Sequence, residues 1–295
     1  MKTLKDINNI LILGSGTLGL RIGLACALNN YKVTIYDIDT KAFASAKKTQ
    51  ADLLKILVKA QTYTQNQADT AIKNIRFTTD AQEASKDIDL VSESVTENID
   101  IKKKVWQQFG KLCPPKTIFT TNTSSLLPSL YAEDTGRPSL FCAFHFHDVF
   151  YANVVDIMPN PQTESWLIPL LQEFGKSIQQ TPVVVKKESP AYIFNAMLIA
   201  LISAAGALVT YDVGSIEDVD RSWMGNFKMS RGPFGIIDEI GLDTAWHVTA
   251  PKKDARSLRF AALLKTYIDQ GKLGRKTGEG FYKYPNPKFL EGDFI

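Results

Sequence analysis

Residues 10 to 28 constrain this chain more than any other stretch. Ile10-Leu11-Ile12-Leu13 reads as a short buried strand. Gly14-Ser15-Gly16-Thr17-Leu18-Gly19 then spells G-x-G-x-x-G, and the apolar pattern Leu18–Leu28 continues as a helix. The glycine spacing alone is common, but a strand before it and a helix after it is the context a dinucleotide turn requires. Gly14 permits the tight turn, Gly16 lets the backbone approach a diphosphate, and Gly19 lets helix and strand pack closely. Thr17 and Leu18 open the helix, whose free N–H groups and dipole favour an anion. The next strand-like run, Lys32–Tyr36, ends at Asp37. A carboxylate about 20 residues past the glycines accepts hydrogen bonds from a ribose 2′-hydroxyl and repels a 2′-phosphate, so the reading favours NAD over NADP. The alternative, a glycine turn in a fold that binds nothing, explains neither flank.

The strand–helix alternation then continues. Further β-branched runs lie at Ile75–Thr78, Leu90–Val91, Ile118–Thr121, Leu140–Phe146, Val154–Met158 and Val183–Val185. Helical patterns fall at Lys41–Lys59, Ile101–Leu112 and Trp166–Phe174. Such a sequence predicts an α/β fold, a parallel sheet covered by helices on both faces. The texture changes at Lys186-Lys187-Glu188-Ser189-Pro190. Helical periodicity, punctuated by Gly232-Pro233 and Gly241, follows it. The boundary is therefore placed near residue 187, giving a dinucleotide-binding domain over 1–187 and an all-helical domain over 188–295.

Composition narrows the function. Thirty-four basic against 31 acidic residues leave a net charge of +3, too small and too dispersed to indicate nucleic acid as a partner. Cys26, Cys113 and Cys142 are too far apart for a metal-binding CxxC and odd in number, so a reduced, cytoplasmic setting is expected. The apolar run before Gly14 is too short for a secretory signal. Ala191 to Tyr211 carries no charge and is long enough to span a bilayer. Its Tyr, Asn, Ser and Thr residues favour a helix buried within a domain or between two copies of the chain.

Three histidines, His145, His147 and His247, bound the search for a base that works near neutral pH. His145 and His147 alternate along one strand-like run and share a face. Asp156 sits in the following run. If the two runs pair, its carboxylate can hold a histidine tautomer, although a locally bonded His145 and a surface Asp156 remain open. Thr121-Asn122-Thr123-Ser124-Ser125-Leu126 follows a strand, where an open sheet binds ligands, though such clusters also make turns and caps. Asn195 lies in an apolar helix and needs a partner if buried. Gly274-Arg275-Lys276-Thr277-Gly278 is a basic loop, either a solvated turn or a way to bring Lys276 to a phosphate. No metal ligand set is apparent.

Taken in order, these segments, with Glu93-Ser94-Val95-Thr96-Glu97-Asn98 and Gly232–Asp243 between them, resemble the NAD-dependent L-3-hydroxyacyl-CoA dehydrogenase family over essentially the whole chain. The resemblance implies a Rossmann-type doubly wound sheet with a helical protrusion after the second strand. It also implies an all-α C-terminal domain that forms a homodimer, and a role in fatty acid metabolism. It places Glu97, Lys102 and Lys276 along the cofactor, His145 as base, Asp156 as its orienting acid, and Ser124 and Asn195 on the substrate. The chain departs from the family where His-Phe-Phe-Asn-Pro is replaced by His145-Phe146-His147-Asp148-Val149. Asp148 thus stands where the family has the Asn that faces the nicotinamide. The acid is Asp rather than Glu, on a stretch one residue shorter; the two changes compensate, or His147 takes the base role. Leu53 and Ala60 fall near positions that contact CoA in the family, with Lys55 and Lys59 as substitutes. Met158-Pro159-Asn160-Pro161 is similar to members acting on small free hydroxy acids such as gulonate or carnitine. The activity implied is oxidation of a short L-3-hydroxyacyl-CoA. A non-CoA hydroxy acid substrate and a catalytically weak NAD-binding paralogue are the alternatives.

Overall fold

A computed structural model describes residues 2–295, which divide into two compact units between Ile193 and Phe194. The sequence reading put the change near residue 187. The extra residues are an irregular segment, with no strand or helix assigned between Val184 and Phe194.

The first unit is built on one eight-stranded sheet. Its strands are β1 (Asn9–Leu13), β2 (Lys32–Tyr36), β3 (Ile75–Thr78), β4 (Leu90–Glu93), β5 (Ile118–Thr121), β6 (Phe141–Phe146), β7 (Val154–Pro159) and β8 (Thr181–Val184). They lie in the order β3-β2-β1-β4-β5-β6-β7-β8, and every neighbouring pair is parallel except the antiparallel β6–β7. Helices α1 (Thr17–Leu28), α2 (Lys41–Lys59), α3 (Gln65–Asn74), the single turn α4 (Ala81–Ala84), α5 (Ile99–Leu112) and α6 (Leu167–Ser177) connect them. β1 shows why its sequence is continuously apolar. Ile10 and Ile12 join the core that includes α1 residues Leu24 and Cys26, while Leu11 and Leu13 join the opposite core with Trp106 and Phe109 of α5. A strand covered on both faces has no polar side to display.

The second unit holds α7 (Phe194–Thr210), α8 (Ile216–Phe227), α9 (Pro233–Ile240), α10 (Leu242–Thr249) and α11 (Ala255–Ile268). Local chemistry sets their ends: Ser215 and Asp218 form a capping box on α8, and Pro233 opens α9. Gly206 of α7 lies under Phe260 of α11, where a Cβ would come within 2.4 Å of the ring. Two carboxylates are buried here. Asp220 accepts from the Phe234 and Gly235 amides at the start of α9, and Asp238 from the Phe281 and Tyr282 amides and the Tyr284 hydroxyl. No described helix is long and apolar enough to cross a membrane. Nor is α7 covered all round: Phe194, Met197, Ala200, Ala204 and Leu208 are exposed along one side. The three cysteines are free and buried. Burial pushes the Cys26 and Cys113 thiols up to about 12 and about 11, and raises Cys142 as well.

Candidate active site

The glycine turn is shaped for a ligand as well as for the fold. Gly14 has φ +105°, and a Cβ there would lie 2.6 Å from the Ser94 carbonyl oxygen; at Gly19 it would lie 2.2 Å from the Gly14 oxygen. Both glycines are therefore demanded by packing. A Cβ on Gly16 meets nothing within 4 Å, and no side chain caps the α1 N-terminus. That leaves the first-turn N–H groups facing open space, as a diphosphate needs. Asp37 follows β2, and its Oδ2 accepts from the Ser15 amide (2.8 Å) and hydroxyl (2.6 Å). Partial burial works to raise this carboxyl, but the Ser15, Asp39 and Ile38 donors outweigh it and hold it below the ordinary range. The residues present fit an NAD ribose and diphosphate.

Beside this turn, at the carboxyl ends of β4 and β5, a polar cluster joins three segments. Lys102 of α5 is buried, with Nζ 2.7 Å from Glu93 Oε1 and 3.3 Å from Glu97 Oε2. Glu93 also accepts from the Thr121 hydroxyl and the Val95 amide. One Glu97 oxygen accepts from the hydroxyls of Thr123 and Ser125 and from the amides of Ser124 and Ser125. Burial opposes ionisation of Glu97, yet the Thr123 hydroxyl, the Lys102 ammonium and the Ser125 donors pull its carboxyl down to about 2. Glu97 thus shapes the 123–125 turn, and Lys102 braces it from behind. Glu93 is a site residue the sequence reading did not assign. A carboxylate ending the apolar strand Leu90–Glu93, with a lysine on the following helix, was the available signal.

That turn delivers Ser124 to the imidazole. β6 and β7 place His145 directly opposite Asp156. His145 Nδ1 is 3.3 Å from Asp156 Oδ2, and Nε2 is 3.1 Å from Ser124 Oγ. His147, two residues on and on the same face, reaches the same Oδ2 at 2.9 Å. Burial raises the Asp156 carboxyl, but the two histidines more than offset this and hold it lowered. Tyr192 covers the His145 ring, stacked at 4.5 Å between centroids and 11° between planes, and its hydroxyl donates to the Thr123 carbonyl (2.7 Å). Asn122 ties the same two segments by accepting from the Phe146 amide. Ala191 and Tyr192 both have left-handed backbones, with φ of 64° and 55°, a cost that such residues accept only where packing over-determines them.

The structure places the remaining expected residues as follows. Thr17 and Leu18 form the first turn of α1. Asp148 is ion-paired with Arg21 of α1 and accepts from the Tyr151 amide at 2.9 Å. Its carboxylate is therefore neutralised and engaged in a turn, next to buried Val149 at φ 93°. Asn195 and Lys276 belong to the second unit. Asn195 is half-buried in the first turn of α7, and Lys276 Nζ lies 2.6 Å from both Asp243 oxygens. His247 is exposed on α10, its Nδ1 2.7 Å from the Asp243 carbonyl. Contrary to the expectation of no ligand set, His145, His147 and Asp156 do bring three metal-ligating atoms together, within 4.8 Å of one another.

A doubly wound sheet with a glycine-rich turn after its first strand, an acid after its second and a carboxylate-held imidazole at the strand ends fits an NAD-binding oxidoreductase. The comparisons name the family. The 3-hydroxyacyl-CoA dehydrogenase NAD binding domain matches residues 9–189, and the C-terminal domain of the same family matches residues 192–284. A probable 3-hydroxyacyl-CoA dehydrogenase of Caenorhabditis elegans is 32% identical, over 95% of this chain and 94% of its own. The mitochondrial hydroxyacyl-coenzyme A dehydrogenase of Rattus norvegicus is 30% identical over 94% and 91%. Among solved structures, a diketoreductase acting on dicarbonyl compounds superposes with a TM-score of 0.91 at 38% identity, covering 96% of this chain and all of that one. The (S)-3-hydroxybutyryl-CoA dehydrogenase of Ralstonia eutropha gives 0.83 at 29% identity, covering 95% and 100%. The chain belongs to the 3-hydroxyacyl-CoA dehydrogenase family.

Proposed function

We propose that this chain interconverts a secondary alcohol and a ketone β to a carboxyl derivative, with His145 as the base. The substrate is a short L-3-hydroxyacyl-CoA. The observation that carries the reading is His145 itself, with a carboxylate on one ring nitrogen and a serine hydroxyl on the other. Asp156 fixes the tautomer with the proton on Nδ1, leaving the Nε2 lone pair to accept the substrate hydroxyl proton. The imidazolium so formed is stabilised by the adjacent carboxylate. Bound NAD supplies the acceptor for the hydride. Ser124 holds the substrate oxygen. Glu97 and Lys102 fix the turn that carries Ser124.

General acid–base assistance is worth about 10²–10⁴-fold. His145→Ala should lose that much of kcat while binding NADH as the unaltered chain does, measured by nucleotide fluorescence and NADH absorbance. Undiminished turnover would transfer the role to His147 or end the scheme.

One observation favours a second reading. On α2, Leu53 is half-buried against the core, and Lys55 and Lys59 are exposed, with Lys55 3.2 Å from Asp52. This helix presents no hydroxyl at Leu53 for a CoA moiety. That feature and the likeness to the diketoreductase support a free hydroxy acid or dicarbonyl as substrate. Turnover of acetoacetyl-CoA compared with free dicarbonyls separates the two, and turnover of neither, with NADH still bound, leaves the non-catalytic reading.

A further inference from the structure

We infer that His145, His147 and Asp156 form a site for a borderline divalent cation, Zn²⁺ above all, and that filling it switches the imidazole base off. The three donor atoms are His145 Nδ1, His147 Nε2 and Asp156 Oδ2. The two nitrogens stand 3.3 and 2.9 Å from the shared oxygen. Tetrahedral zinc, with bonds of about 2.0–2.2 Å, separates neighbouring donors by roughly 3.3–3.5 Å. Against the shared oxygen the ion asks for a few tenths of an ångström at His147 and almost nothing at His145, while the two nitrogens, within 4.8 Å of one another, must close toward the ion as it binds. Two imidazoles and one carboxylate are the donor set zinc adopts where it keeps an open position.

The outer contacts fit as well. The ring nitrogen of His145 that does not face the ion, Nε2, has Ser124 Oγ at 3.1 Å, the kind of oxygen partner that fixes the tautomer of a metal-bound histidine. Tyr192 stacks on the same ring and limits its rotation. His145 and Asp156 are 3% and 1% exposed, so the site is largely formed before any ion arrives. His147 is the most open of the three.

The consequence follows from where the ring proton sits. As a base, His145 carries its proton on Nδ1, donates it to Asp156, and has a lone pair on Nε2. A cation on Nδ1 takes the lone pair there, so the proton resides on Nε2 and is donated to Ser124. A ring already protonated on Nε2 cannot accept a proton from the substrate hydroxyl. Cation and base form exclude one another, with no net change in the ring's proton count. The inhibitory half of this inference rests on His145 as the base; the binding half does not.

Calorimetric titration of the full-length chain with zinc chloride, without nucleotide, tests the binding half, and Co²⁺ visible absorption reports the coordination. The expected result is one ion per chain at micromolar concentration, weakened at least about tenfold in both His147→Gln and Asp156→Asn. Circular dichroism and NADH affinity of the variants verify their fold. Absence of saturable binding, or undiminished affinity in a folded His147→Gln, overturns the site. Turnover tests the second half: zinc should abolish it reversibly, chelation should restore it, and NADH binding should not change. Full turnover with the ion bound overturns the switch and, with it, His145 as the base, while leaving the site intact.

Discussion

Lys102 shows how much a single charge holds in place. Its ammonium lies between Glu93, wholly buried, and Glu97, which holds the 123–125 turn. Removing one partner of a buried pair strands the other, which costs about 3–5 kcal/mol. Lys102→Met should therefore lower the unfolding free energy by about 3 kcal/mol or more in urea titration, whereas an exposed pair such as Lys55–Asp52 should be worth little. That His145 and His147 share a strand face was legible in the sequence, because alternation is a fixed rule; that Asp156 lies opposite His145 depended on a strand pairing the sequence left open. Tyr192 was not legible, since its stacking depends on two left-handed residues that no local pattern announces. The Arg21–Asp148 pair was equally hidden. The sequence shows an acid where the family has an amide, but the arginine that neutralises it belongs to a different element, 127 residues away.

At the level of elements, α9 and the C-terminal loop form a pH-sensitive joint. Burial pushes Asp238 up to about 6 from an ordinary 3.8, despite the Phe281 and Tyr282 amides and the Tyr284 hydroxyl that favour its charge, and Asp220 is raised for the same reason. The folded chain therefore holds protons that the unfolded chain has released between these values. Stability from Asp238 is full below about 3.8 and is lost as pH rises through about 6. Amide protection factors in α9 should rise about tenfold from pH 7 to pH 5, and Asp238→Asn should remove that dependence. Glu97 has the opposite sign: its lowered carboxyl stabilises the first unit above the ordinary value and ceases to as pH falls toward 2. Most elements were readable, α2 to the residue, because its apolar stripe is regular. α3 escaped notice because the face it buries is Ala68 and Ala71, too small to register as a hydrophobic period, although its Thr64–Gln67 capping box was present in the sequence. β6 and β7 were found as strands, but their antiparallel pairing was only a supposition until the register was seen.

On the scale of the whole molecule, the exposed stripe of Phe194, Met197, Ala200, Ala204 and Leu208 supports a homodimer through the helical unit. Sedimentation at micromolar concentration should give a species of twice 32.8 kDa, and Met197→Glu should shift it toward the monomer. A 32.8-kDa species for the unaltered chain would refute that pairing. The stripe accounts for the charge-free run in the sequence more fully than burial within one chain does, since only Ile202, Ala205 and Gly206 of α7 are fully covered. The three cysteines have a quieter consequence. Each sulfur sits in the interior as the neutral thiol, so oxidants and alkylating agents in the surroundings find no thiolate to attack while the fold is closed. In the native chain the cysteines are shielded from the redox state of the medium, and these thiols become chemically visible only when the structure opens.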